Sequence, residues 1–208
     1  MSEPLVKSVT ENRVASVTLN RPDALNAFTP ELLKALIIAI EKAEREAGVI
    51  VLAGAGRAFS AGVDLKLLQG STFEEGKVDG VFDNLSITAI DAVRQSAVPV
   101  IAKVHGYCFT GALELALQAD FIFTTQGAKF GDTHAKWGLR PSWGMSQNLA
   151  RAVGVRKARE LSFTAKTFTG AEAERWGLAN AAFDDKETLD AETAAFAAAI
   201  AEESPGAI

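Results

Sequence analysis

The sequence holds one cysteine and two histidines in 208 residues. The lone Cys108 cannot close an internal disulfide, and His105, His134 and Cys108 together make a poor ligand set for a metal. No metal centre is expected. Charge of one sign is not gathered anywhere: 21 Lys and Arg stand among 26 Asp and Glu, for a net charge of −5. Without a basic stripe, nucleic acid is excluded as the main partner. Long apolar runs are missing too. The segment "LLKALIIAI" is cut by charge well short of the ~20 residues that a membrane-spanning helix needs. The N-terminal "MSEPLVKSVTENRV" has no apolar core of the kind a secretory signal carries. These absences leave a reducing, cytoplasmic setting as the default expectation.

Ser/Gly linkers and low-complexity tracts are absent as well, so the chain reads as one sizeable domain with at most a short appendage. Alternation in "VASVTLN" (14–20) predicts a strand closed by the turn "RPDALN". Thr29, Pro30 and Glu31 form a helix start, and Leu32, Leu33, Leu36, Ile37 and Ile40 then share one helical face. "GVIVLAGA" (48–55) is a short block of the kind that buried strands show. A helix over 82–97 ends before Pro99, and "PVIAKVHG" follows as a strand. "GALELALQAD" reads as helix and "FIFTTQGAKFGD" as two short strands around a glycine. Helical patterns over 146–152, 154–163, 170–176 and 187–203 complete an α/β alternation.

Familiar nucleotide and hydrolase motifs fail in turn. "LAGAGRAF" has Gly54 and Gly56, but Phe59 stands where a dinucleotide fingerprint needs its third glycine, and no Gly-Lys-Ser/Thr occurs. Ser60 lacks the glycine two residues earlier that a nucleophile elbow requires. What remains is three places where small residues follow an apolar strand: "AFSAGVDLKLL", "VHGYCFTGALELAL" and "KFGDTHAKWGLRPSWG". Helix starts leave unpaired N–H groups and carry about half a positive charge. Main-chain donors near Val63 and at Gly111, aimed at one point, would suit a developing oxyanion. Gly62 and Gly111 would permit close approach of a ligand, because neither carries a Cβ.

The segments "LNRPDALNAF", "GAGRAFSAGVDLKLL", "VHGYCFTGALELALQADF", "AKFGDTHAKWGLRPSWG" and "FTGAEAERWGLAN" occur in an order and spacing that resemble the enoyl-CoA hydratase/isomerase (crotonase) family over nearly the whole chain. The resemblance implies a spiral of β-β-α units over 1–185. It places the start of a C-terminal helical region, truncated relative to the usual family pattern, at 186–208; the further helices of that pattern either lie beyond this sequence or are lacking in this protein. It implies a homotrimer or hexamer and an acyl-CoA thioester substrate, with coenzyme A carried by the substrate and no separate cofactor. The N–H groups of Val63 and Gly111 would form the oxyanion hole. Ala24, Leu25, Ala61, Asp64 and Leu65 would line the adenine and pantetheine path beside Gly62, and Tyr107 and Phe109 would shape the acyl pocket.

By the same matching, Glu114 is one of the two carboxylates that hydratases use. With Gly111 as N-cap it would fall at the third helical position, where a carboxylate serving its own helix is the competing explanation. The second carboxylate is missing, and His134 occupies its place. Imidazole exchanges protons near neutral pH and could take the role over, with Asp132 orienting it; a hydrogen-bonding loop histidine is the alternative. Asp64 is read either as an adenine contact or as a helix cap. Arg21 and Lys66 could meet phosphates, and Trp137 and Trp143 could line the acyl tunnel. His105 is expected to be a satisfied core histidine and Cys108 an inert thiol. Hydration of a trans-2-enoyl-CoA is the favoured reaction. Isomerisation, thioester hydrolysis, decarboxylation or non-catalytic acyl-CoA binding on the same fold are the alternatives.

Overall fold

The computed structural model describes residues 3–68 and 80–203. Among the described residues, nine strands form two sheets. The larger has the order β1 (Val6–Glu11), β2 (Val14–Leu19), β3 (Val49–Gly54), β4 (Val100–Val104), β6 (Phe121–Thr125) and β9 (Ala181–Phe183); the smaller has β5 (Tyr107–Phe109), β7 (Lys129–Gly131) and β8 (Phe168–Thr169). Apart from the antiparallel β1–β2 hairpin, the large sheet is parallel. Parallel strands are covered on both faces and lose the polar half of the alternation. β3 shows this: all six residues are buried, Ile50 and Leu52 on one side and Val49 and Val51 on the other.

Each side has its own helical cover. α1 (Pro30–Glu46), capped by the Thr29 hydroxyl on the Leu32 N–H, presses Leu32, Leu33, Leu36 and Ile40 onto the Ile50 and Leu52 side, as its periodicity predicts. α3 (Gly80–Arg94) packs beside it. α8 (Lys186–Glu202) covers the opposite face, where Leu189, Ala197 and Ala201 meet Val49, Val51, Ile101 and Phe123.

The repeat that builds the molecule shows in the topology. β4 belongs to the large sheet, β5 to the small one, and α4 (Gly111–Ala116) follows; β6 and β7 repeat the pattern. The turn after β3 joins in, because Ser60 makes a parallel bridge to Cys108 in β5 before α2 (Leu65–Leu68) begins. This is the spiral of β-β-α units. α5 (Met145–Val153), α6 (Val155–Thr164) and α7 (Gly170–Arg175) complete the described chain. The strands β1, β5, β8 and β9 are not foreseen in the sequence, and the helix expected over "GALELALQAD" ends at Ala116. The helix expected over 82–97 runs instead from Gly80 to Arg94. The C-terminal "SPGAI" lies outside the described residues. No described helix is long and apolar enough to cross a membrane.

Candidate active site

Three successive repeats deliver their turns to one place. The first supplies Val63. Phe28 and Val63 form a parallel bridge in which the Phe28 N–H donates to Gly62 O and the Asp64 N–H to Phe28 O. In that pattern the amide of Val63 itself faces away from Phe28. It has no acceptor among the described residues. The second repeat supplies Gly111, whose N–H is likewise without an acceptor there. The two segments are in contact: a Cβ on Gly62 would stand 3.4 Å from Gly111 N, 2.4 Å from Thr110 Oγ1 and 2.6 Å from Phe109 O.

Thr110, not Gly111, is the N-cap of α4, which moves Glu114 from the third to the fourth helical position. The cause is the turn into the helix. Thr110 holds φ +47° while its N–H donates to Gly131 O, so the chain reverses one residue earlier than the glycine suggests. A β-branched residue at positive φ is strained, and such strain persists only where its surroundings impose it.

Glu114 does not cap its own helix. Its carboxylate is buried, and Oε1 accepts from the N–H groups of Trp143 (3.0 Å) and Met145 (3.1 Å) at the start of α5. Oε2 lies 3.5 Å from His134 Nε2. The third repeat supplies that imidazole from a short 3-10 turn, His134–Trp137, directly after β7. His134 is buried rather than a surface loop residue, and its Nδ1 is 2.7 Å from Asp132 Oδ1. Burial works against the imidazolium, but hydrogen bonds and charge from Asp132 and Glu114 outweigh it and raise the His134 pKa to about 9. Burial likewise pushes Asp132 upward, yet His134 and the Ser162 hydroxyl hold it below its usual value. Near neutral pH the centre is therefore an imidazolium between two carboxyl groups.

A cavity of about 350 Å3 has Ala61, Val63, Leu65, Phe109, Thr110, His134, Trp137 and Trp143 in its wall, whereas Gly111, Glu114 and Asp132 are not wall residues. Trp143 is also the reason position 111 must be small: a Cβ on Gly111 would stand 2.2 Å from the indole ring. Of the remaining candidates, Leu25 lies next to the site, its carbonyl accepting from the Ala61 N–H, and Ala24 ends the short 3-10 turn before it. Ala24, Leu25, Gly62, Asp64 and Tyr107 are not wall residues of this cavity. Asp64 is committed on two sides, to the Lys66 N–H through Oδ1 and to Arg21 at 2.8 Å through Oδ2. Burial drives the Cys108 thiol well above its ordinary pKa, consistent with an inert group. His105 departs from expectation: Nε2 meets Gly56 O at 2.8 Å, but buried Nδ1 has no partner among the described residues. No described cluster of three or more His, Cys, Asp or Glu could hold a metal ion.

Two residues escape the sequence reading. Asn26 is fully buried at φ +53°, and its Nδ2 donates to the carbonyls of Ala55, Ala58 and Phe59 while Oδ1 accepts from the Arg21 N–H. The turn signal "RPDALN" contained it without revealing its reach. Asp83, on α3, accepts from the Trp143 indole at 2.6 Å and from the Ser142 hydroxyl at 2.8 Å. Nothing in the local pattern around 83 points to a partner sixty residues away.

A family model described as enoyl-CoA hydratase/isomerase matches residues 9–208. The chain belongs to that family. A Rhizobium meliloti (strain 1021) protein named "Probable enoyl-CoA hydratase" is 39% identical over 171 residues, which take in 81% of this chain and 65% of that protein. The chain thus spans just under two thirds of that relative's length. The solved enoyl-CoA hydratase of Bacillus anthracis superposes with a TM-score of 0.90 at 29% identity, covering 97% of this chain and 78% of its own. An enoyl-CoA hydratase-like protein of Thermobifida fusca YX, solved in complex with CoA, gives a TM-score of 0.85 at 29% identity and covers 98% and 81%. The crotonase-type spiral expected from the sequence is the fold observed.

Proposed function

We propose that this crotonase-family chain hydrates trans-2-enoyl-CoA thioesters to 3-hydroxyacyl-CoA. The observation that carries the reading is Glu114: a buried carboxylate oriented by two main-chain donors, close to two amides that have no acceptor among the described residues and opposite an imidazolium. The thioester carbonyl sits between the N–H groups of Val63 and Gly111. Preorganised donors of this kind stabilise a developing enolate by about 3–4 kcal/mol each. Water is held by Glu114 and attacks C3 as the carboxylate takes its proton. Electrons shift from the C2–C3 double bond to the carbonyl oxygen, and the enolate collapses by taking a proton at C2 from His134 Nε2. The protonated carboxyl then returns its proton to the imidazole across the 3.5 Å that separates Oε2 from Nε2. His134 begins near neutral pH as the proton donor these steps require, because its carboxylate neighbours raise its pKa to about 9. The relatives named as enoyl-CoA hydratases and the CoA-bound neighbour support the substrate class.

Glu114→Gln keeps an oxygen for the Trp143 and Met145 donors but cannot take a proton. The expected outcome is a fall in hydration of about 10²–10⁴-fold with CoA-ester affinity preserved. Product analysis on 2-enoyl, 3-enoyl and malonyl-type CoA esters checks the reaction. A 3-hydroxyacyl product from the first alone supports hydration, whereas unchanged turnover by the variant overturns the role of Glu114.

A further inference from the structure

Trp143 meets the site in three ways. Its N–H donates to Glu114, its ring closes against Gly111, and its face forms a wall of the cavity. What fixes the ring is not in the site. Asp83 Oδ1 accepts from the indole at 2.6 Å and from the neighbouring Ser142 hydroxyl at 2.8 Å, and Phe82 lies against the same ring with centroids 6.0 Å apart. An indole has a single donor, so this one bond sets the tilt of the whole ring about its side-chain torsions. The segment 142–143 has further reason to need an anchor. It sits between Pro141 and Gly144, the latter at φ +102°, outside regular structure until α5 begins at Met145.

We infer that Asp83 is a positioning residue: through Trp143 it holds the amide that orients Glu114 and the wall beside the Gly111 donor. The inference rests on the proposed reading of Glu114 and Gly111, and it extends the active centre to α3. A displacement of about 1 Å in such a support costs on the order of 10²-fold in rate. Truncating Asp83 therefore acts on turnover more than on ligand capture.

The test is a double-substitution cycle on the full chain. Asp83→Ala should lower kcat on a short 2-enoyl-CoA about 10–100-fold, with KM changed by less than about threefold. Asp83→Asn keeps an accepting oxygen and should restore kcat to within about threefold of the starting protein. Trp143→Phe, which removes only the indole donor and some ring area, should resemble Asp83→Ala. The double variant should lose little more than either alone, because coupled residues are non-additive. A second readout needs no turnover. With Trp137 and Trp176 replaced by Phe, Trp143 is the sole tryptophan of three. Its emission should shift to the red in Asp83→Ala and recover in Asp83→Asn. If the alanine variant fails to fold, Asp83→Leu, which keeps the side-chain shape but has no acceptor, takes its place in the cycle. Losses that multiply, or an emission unmoved by Asp83→Ala, overturn the inference. A moved emission in a protein that hydrates no enoyl-CoA overturns the reaction and leaves the positioning intact.

Discussion

At the scale of single residues, the site is governed by what is not there. Gly62 at φ +87° has Thr110 Oγ1 and Phe109 O where a side chain would begin. Gly62→Ala must push the Thr110 side chain and the Phe109 carbonyl aside, and Phe109–Thr110 leads directly into the Gly111 amide. Overpacking of this kind, added to an unfavourable backbone region, costs about 1–3 kcal/mol. The expected outcome is a lower denaturant midpoint together with weakened CoA-ester binding, measured by titration calorimetry. A stability loss with unchanged affinity would separate the glycine from the hole. Gly62 was legible in the sequence because a glycine between Ala61 and Val63 has few uses other than a turn or a close approach. Glu114 was legible in type but not in engagement, since its donors, Trp143 and Met145, arrive from about thirty residues downstream.

Among the elements, the turn between β2 and α1 does more than reverse the chain. Asn26 ties it to the segment after β3 by three carbonyl acceptors, while Ser60 Oγ donates to Asn26 O and accepts from the Gly62 N–H. The turn that carries Val63 is thus braced from behind by a buried polar network. Asn26→Ala leaves the buried carbonyls of Ala58 and Phe59 without this donor, each costing about 1–3 kcal/mol. A total loss of about 2–6 kcal/mol is expected in urea unfolding. Sequence patterning found β2, β3, β4 and the long helices, whose runs are long enough for period to register. It missed β5, β8 and β9, which have two or three residues, and β1, an edge strand with only every second residue half buried. In those strands the pairing partners, rather than local preference, decide the conformation.

For the whole molecule, the Asp132–His134–Glu114 centre links stability to pH. The folded His134 pKa, about 9, lies above the ordinary value of 6.5. Its contribution to stability is therefore fully present below about pH 6.5, declines as pH rises and is gone once pH passes the folded value. Asp132 has the opposite sign: its lowered pKa adds stability above its ordinary range that disappears as acid protonates it. His134→Gln should cost most at pH 6 and progressively less at pH 8 and pH 10, measured by urea unfolding at each pH. A penalty that stays level from pH 6 to 10 would mean that the native imidazole is neutral, and the proton donation assigned to it would fall.

The indole of Trp143 occupies the room that any side chain at 111 would claim. The two positions therefore share one volume, and neither can be enlarged while the other keeps its size. Any redesign that reshapes the chamber for bulkier acyl groups has to treat them as a single unit. A change confined to either partner trades cavity space directly against the main-chain donor proposed to polarise the ligand.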